Sequence, residues 1–266
     1  MTKPLANPVD FERPPIAEVA LAVQFAGPVM NESQTLGRFW PKVQSRFPII
    51  ETQLPLPPMM EEFGVSMQPQ FLFQMGPAGQ RYWMQTEDRS GLVQVQPDRM
   101  AYNWRRDPGD FPYPRYDQLR DEFCTVYEAF LETCREQGRE PEPTWCEISY
   151  INPIEVGDER DLAGILLRLA PSTLSLLGQP EDTTLNERFV LSRDGQPYGR
   201  FYATATPAIG IEDNAQLVVL TLVARGLATS PDLSGILAFL DEGRNLIVNT
   251  FRDMTTETMH RRWGLQ

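Results

Sequence analysis

The order of structural signals in this chain runs to its midpoint and then starts again. The first half opens with a mostly apolar strand, Ile16 to Phe25. A helix-like stretch carrying Phe39 and Val43 follows, then several strands, then a long amphipathic helix ending near Gln137. The second half opens with a strand from Cys146 to Val156. A short helix from Leu162 to Leu169 follows, then strands between Thr184 and Arg225, then a long amphipathic helix from Pro231. An amphipathic helix must bury its apolar stripe, and a meander of antiparallel strands offers it one sheet face. The expected fold class is therefore α+β. Two similar units, 1–140 with an extended N-terminal arm and 141–266, form one compact pseudo-symmetric body whose sheet is covered by the long helices.

Local signals fill in the units. Pro14 and Pro15 keep the segment before Ile16 out of helix. Glu18 and Gln24 interrupt the apolar run of the first strand, and Gly27-Pro28 ends it. Asn31 or Ser33 caps the next helix, and Pro48 limits it. The segment Leu54–Met60 is too rich in proline for regular structure and reads as an ordered loop crossing the surface. Strands are expected near Phe63–Met67, Phe71–Met75, Tyr82–Thr86, Leu92–Gln96 and Met100–Trp104. Val93 and Val95 share one face of their strand, Gln94 and Gln96 the other. Tyr116, Leu119, Phe123, Val126, Tyr127, Phe130, Leu131 and Cys134 recur at helical spacing, with Gly138 just past the end. Asp194-Gly195 joins a hairpin. Leu217 to Ala224, nearly all apolar or β-branched, reads as a strand buried on both faces. In the last long helix Ser230 is the expected N-cap and Pro231 the first helical residue. Leu233, Ile236, Leu237, Leu240, Ile247, Val248 and Phe251 line its apolar face. A final short helix is expected after a cap at Thr255. The whole pattern is similar to helix-grip and TATA-binding-like folds, a likeness that sets no function.

The formal net charge is −12. Nucleic-acid surfaces are normally basic because neutralising phosphates drives affinity, so no nucleic acid is expected as partner. The acidity suits solubility or a basic protein partner. Of the 24 basic residues all but Lys3 and Lys42 are arginine, spread along the chain. A Schiff-base or phosphate-gripping lysine is thereby nearly excluded. Cys124 and Cys134 sit on one expected helix, with Cα atoms about 15 Å apart, beyond disulfide reach. With Cys146 they read as reduced thiols in a cytoplasmic protein. Residues 1–15 hold no apolar signal-peptide core, and no stretch approaches the roughly 20 apolar residues of a membrane span.

Four stretches look familiar together. They are Pro14-Pro15-Ile16-Ala17-Glu18-Val19; Leu92 to Arg99 leading into Tyr102-Asn103-Trp104-Arg105; Tyr150-Ile151-Asn152-Pro153-Ile154; and Phe251 with Thr255-Thr256, Met259-His260 and Trp263-Gly264. In order and spacing the chain resembles a sporadically distributed bacterial family of about this length. The resemblance implies bacterial origin and one conserved unit. It supplies no reaction and no catalytic residue.

Chemistry is sparse. His260 is the single histidine, so any Ser–His or Cys–His pair must use it. Its setting, Met259-His260-Arg261-Arg262, is the basic last turn of a helix, where such residues complement the helix dipole. No His/Cys cluster has zinc spacing and no phosphate-binding glycine loop is present, so no metal or cofactor is expected. The acidic pairs Glu61-Glu62, Glu87-Asp88, Glu212-Asp213 and Asp241-Glu242 read as solvated surface. The candidate binding site is Gln94, Gln96, Asn103, Trp104 and Arg105. The amides can present donors and acceptors on one sheet face, Trp104 a stacking surface and Arg105 a fixed positive fork. The competing reading is a strand end with a core tryptophan and solvated arginines.

Catalytic poverty combined with acidity points to a non-enzymatic cytoplasmic binding protein. It would act through a protein partner encoded nearby, as immunity, antitoxin-like or defence components do. A second reading is a small-ligand module with a cavity between sheet and long helix, lined by Trp40, Trp83, Trp104 and Phe201. A third is a carboxylate- or metal-dependent enzyme, which needs distant acidic residues to converge.

Overall fold

The computed structural model describes residues 9–64, 79–107, 109–156, 165–166, 182–210 and 214–266. Nine strands form one sheet: β1 (Glu18–Phe25), β2 (Ile49–Gln53), β3 (Arg81–Gln85), β4 (Gly91–Gln96), β5 (Arg99–Arg105), β6 (Pro143–Glu155), β7 (Leu185–Arg193), β8 (Gln196–Ile209) and β9 (Gln216–Leu227). Their spatial order is β2-β3-β4-β5-β1-β6-β9-β8-β7, and every neighbouring pair is antiparallel. The opening strands of the two halves, β1 and β6, lie side by side at the centre. Each is flanked on its outer side by the last strand of its own half. The expectation of an α+β chain with an antiparallel sheet under long helices is met.

Helices α1 (Glu32–Gln34) and α2 (Trp40–Val43) flank a π-helical turn at Thr35–Phe39. Asn31 caps this run, with Gln34 reaching back to complete a capping box. The long helices α3 (Tyr116–Arg135) and α4 (Leu233–Met254) pack on one face of the sheet, α3 against β5 and α4 against β6 and β9. Leu119, Phe123, Val126, Tyr127, Phe130 and Cys134 bury the stripe of α3. Phe25 stacks on Phe130 with ring centroids 5.4 Å apart. At Gly243 of α4 a Cβ would meet Ile148 Cγ2 at 2.6 Å, so the absent side chain lets the helix lie close on the sheet. Asp241 ties the two helices, accepting from Tyr116 Oη at 2.7 Å and Arg120 Nε at 2.9 Å. The arm threads Phe11 against Phe251 and Trp263 of α5 (Glu257–Trp263).

Several details depart from the sequence expectation. Strand β2 was not anticipated: it follows Pro48 and pairs only with β3, as an edge strand among the described residues. Strand β9 is fully buried only on its helix-covered face. Val218, Leu220, Leu222 and Ala224 are buried, while Leu217, Val219, Thr221 and Val223 are half-buried. Asp232, not Ser230, caps α4. Its carboxylate accepts from Gly235 N at 2.9 Å, and Ser230 donates to that same carboxylate. Thr256, not Thr255, caps α5. Leu237 is half-buried and Phe239 takes the core position. The strands expected near 63–67 and 71–75, the helix over 162–169 and the Glu212-Asp213 pair fall mostly or wholly outside the described residues.

Candidate functional site

Alternation along the strands sends Val19, Leu21, Val23, Val93, Val95, Met100, Tyr102 and Trp104 to the helices. The same alternation sends Glu18, Ala20, Ala22, Gln24, Leu92, Gln94, Gln96, Arg99, Ala101 and Asn103 to the opposite face. The register aligns them in rows. Gln94 faces Ala101, Ala101 faces Ala22, and Ala22 faces Glu147; Asn103 faces Ala20, which faces Ser149. Three alanines therefore make a low floor at the middle of the sheet, and the walls around it are polar. The resulting cavity holds about 170 Å³. Its lining includes Glu18, Leu56, Arg81, Gln94, Gln96, Arg99, Asn103, Glu147 and Ser149 around the alanines.

A strap, residues 54–63, closes this face from outside. It lacks regular structure, so its backbone groups need partners, and two glutamines supply them. Gln96 accepts from Leu56 N at 3.0 Å and donates to Leu56 O at 3.1 Å. Gln24 does the same at Met59, accepting from N at 2.5 Å and donating to O at 3.0 Å. Arg99 Nη2 donates to Pro57 O at 2.6 Å and to Gln24 Oε1 at 3.0 Å. The buried Met59 side chain packs on Ala22 and Ala101. Next along the strap, Glu61 anchors it to the second half. Its side chain is 1% exposed and accepts from Arg200 at 2.7 Å, from Arg225 at 3.2 Å and from Tyr202 Oη. The expectation that Glu61-Glu62 is a solvated pair is thus corrected for Glu61: the three donors come from β8 and β9, far away in sequence.

The amides are oriented by donor logic. Arg81 and Trp83 can only donate, and both donate to Gln94 Oε1, at 2.9 and 3.0 Å. Gln94 Nε2 must therefore face Asn103 Oδ1, at 2.8 Å. Asn103 Nδ2 in turn donates to Glu18 Oε1 at 2.5 Å. One directed chain of hydrogen bonds thus runs from Arg81 and Trp83 to Glu18. Burial pushes the Glu18 carboxyl above its ordinary value, against the opposing pull of Asn103 and Arg105. Burial also lowers Arg81 and Arg99. Burial pulls Arg225 down, but Glu147, 2.5 Å away, together with Tyr202 and Glu61 holds it above its ordinary value.

Of the residues singled out from sequence, Gln94, Gln96 and Asn103 converge in this cavity. Trp104 does not. It is buried under α3 with Tyr113 at 5.5 Å, because neighbouring residues on a strand point to opposite faces. The tryptophan on the polar face is Trp83. Arg105 lies on that face and over the Trp83 ring at 5.4 Å, but it bonds Gln85 at 2.6 Å and stays outside the cavity lining. Nor do Trp40, Trp83, Trp104 and Phe201 share a cavity beneath the helices. Phe201 and Trp104 belong to the core, Trp83 to the other face, and Trp40 bonds Phe47 O. Glu18, Arg81 and Arg99 were missed. The signal for Glu18 was visible: a carboxylate and three small or polar residues alternate through β1.

Larger grooves lie elsewhere. One of about 690 Å³ runs past Pro14, Pro112, Arg262 and Trp263, and one of about 500 Å³ lies between α3 and α4. Both are open, and in each an arginine is already ion-paired, Arg262 with Glu155 and Arg120 with Asp241. His260 is occupied as well, its Nε2 lying 2.9 Å from Thr255 Oγ1. Among the described residues no group of three or more His, Cys, Asp or Glu is placed to hold a metal ion, and no helix is long and apolar enough to cross a membrane. Neither a protein-family profile nor a curated protein sequence matches the chain.

Proposed function

We propose that this is a non-enzymatic binding protein whose site is the cavity between the helix-free sheet face and the strap, and that its occupant is a small polar molecule. The observation that carries the reading is the alanine floor ringed by oriented polar groups. Buried amides and guanidiniums are costly unless they are partnered, and a few convergent polar groups are what orients a ligand; at about 170 Å³ the cavity is smaller than the ~300–1,000 Å³ of drug-sized sites, which restricts the occupant to a few heavy atoms. The ligand-module reading is retained with its site moved from beneath the helices to the opposite face. The palindromic strand order about β1 and β6 supports two helix-grip or TATA-binding-like units, 1–140 and 141–266, with the site built mainly on the first and locked by the second through Glu61. The three free cysteines fit the cytoplasmic setting proposed from sequence. A protein partner remains the second reading, favoured by exposed Phe189 and Val190 on β7.

Ala20→Leu fills the cavity while adding only apolar bulk to a half-buried floor position. A thermal-shift and ligand-observed NMR screen of small polar metabolites should give hits with the natural protein that this variant loses. Hits that bind the variant equally well would place binding elsewhere and defeat the proposal.

A further inference from the structure

The charged residues lining the cavity, Arg81 and Arg99 against Glu18 and Glu147, are equal in number but not equally paired. Glu147 is engaged by Arg225, and Glu61 by Arg200 and Arg225. Among the described residues neither Arg81 nor Arg99 has a carboxylate within ion-pair distance, while both line the cavity. The Arg99 side chain belongs to a residue only 8% exposed, and its Nε, like that of Arg81, is buried without a hydrogen-bond partner. Natural proteins leave few buried donors unsatisfied, and such groups call for an explanation. Gln96 pairs with Arg99, and carrying the pairing of Tyr82 with Val95 on by one residue sets Arg81 beside Gln96 on its other side, about one strand spacing, ~4.8 Å, away in each direction. The two arginines thus start from positions on either side of Gln96, Arg81 reaching Gln94 Oε1 at 2.9 Å and Arg99 reaching Gln24 Oε1 at 3.0 Å and Pro57 O at 2.6 Å, and both line the cavity. Glu18 lines it too, and Asn103 leaves it able to accept on its second oxygen.

We infer that the cavity binds a small monoanionic carboxylate, its carboxylate against Arg81 and Arg99 and a hydroxyl or amine donor directed to Glu18. This rests on the ligand-binding reading above and adds the ligand's charge and polarity. Among the lining residues two guanidiniums face a single carboxyl outside an ion pair, and of the charges just beyond the lining Asp98, which accepts from Gln96 Nε2 at 2.7 Å, offsets Arg105, which acts on Glu18, so one negative charge brings the site to neutrality. A dianion such as phosphate would exceed the one charge the site neutralises and would meet Glu18. A planar carboxylate also matches the guanidinium fork bidentately. The volume admits a ligand of a few carbons, since 170 Å³ corresponds to about five or six waters.

The test uses the full chain, with glycolate and 3-hydroxypropanoate as probes, their neutral amides as isosteres, and inorganic phosphate. Side-chain amide NMR signals of Gln94, Gln96 and Asn103 report occupancy. Both acids are expected to shift these signals and to bind at least tenfold more tightly than their amides. Arg81→Gln should abolish that preference, whereas Arg99→Lys, which keeps the charge near the strap, should retain part of it. If acids and amides bind alike and Ala20→Leu removes both, the ligand site stands and the anion inference falls. Binding of phosphate in preference to the carboxylates would also overturn the inference. If no probe perturbs the three amides, the anion inference falls, and the metabolite screen with Ala20→Leu alone decides the ligand reading.

Discussion

Glu61→Ala should release the strap, and its cost can be worked from the geometry. The carboxylate is 1% exposed and holds Arg200, Arg225 and Tyr202. Removing it does not strand all three partners equally. Arg225 keeps Glu147 at 2.5 Å, so it remains neutralised. Among the described residues Arg200 keeps Tyr202 on its own strand, while its other contacts, Glu62 O at 2.6 Å and the Phe63 ring, belong to the strap that the change loosens. Breaking a buried pair by removing one partner typically costs about 3–5 kcal/mol. Arg200 and Arg225 retain some solvent, 12% and 26% by side chain, which screens part of that loss. We therefore expect about 2–4 kcal/mol in urea unfolding, or roughly 4–7 °C in melting temperature for a chain of this size. Hydrogen exchange should rise at Leu56 and Met59, whose amides donate to Gln96 and Gln24, while amides of β6 and β9 stay protected. A loss under about 0.5 kcal/mol with unchanged protection at Leu56 and Met59 would refute Glu61 as the anchor.

Replacing Phe130 or Leu240 by alanine should cost about 2–5 kcal/mol by chemical denaturation, since both are fully buried under the helices; losses below about 1 kcal/mol at both would show that these helices are not the core. Glu18 supplies a pH test. A carboxyl whose folded value is raised binds protons more tightly in the folded state, so stability falls as pH climbs from the unfolded value of 4.5 through the folded one. Glu18→Gln keeps the acceptor for Asn103 and removes that charge, so it should stabilise the protein more at pH 7 than at pH 4; urea titrations showing equal effects at both would contradict it. Burial raises all three thiols, Cys134 to about 11 and Cys146 to about 12, but only Cys124 is partly exposed, so a thiol reagent at pH 8 should modify Cys124 well before the other two in the native protein.

Helical faces were legible because their period is local. The stripe from Tyr116 to Cys134 needs no knowledge of what covers it. The polar cavity was half legible, for a geometric reason. Period-two alternation placed Gln94 and Gln96 correctly, but grouping Trp104 with Asn103 ignored that adjacent strand residues oppose each other. Carrying parity through the Pro97-Asp98 turn puts Gln96 opposite Arg99, and from there Arg99, Ala101 and Asn103 join the glutamines while Trp104 leaves. The alanines gave no compositional signal, because a floor is defined by what surrounds it. Glu61 was beyond local reading altogether. Its neighbour Glu62 is exposed, its proline-rich context argues for surface, and its partners Arg200 and Arg225 lie at the far end of the chain. Only the crossing of the strap over β8 and β9 converts that surface residue into a buried anion. Sequence period thus decides which face a side chain takes. The polar site, by contrast, depends on which segments the topology carries across that face.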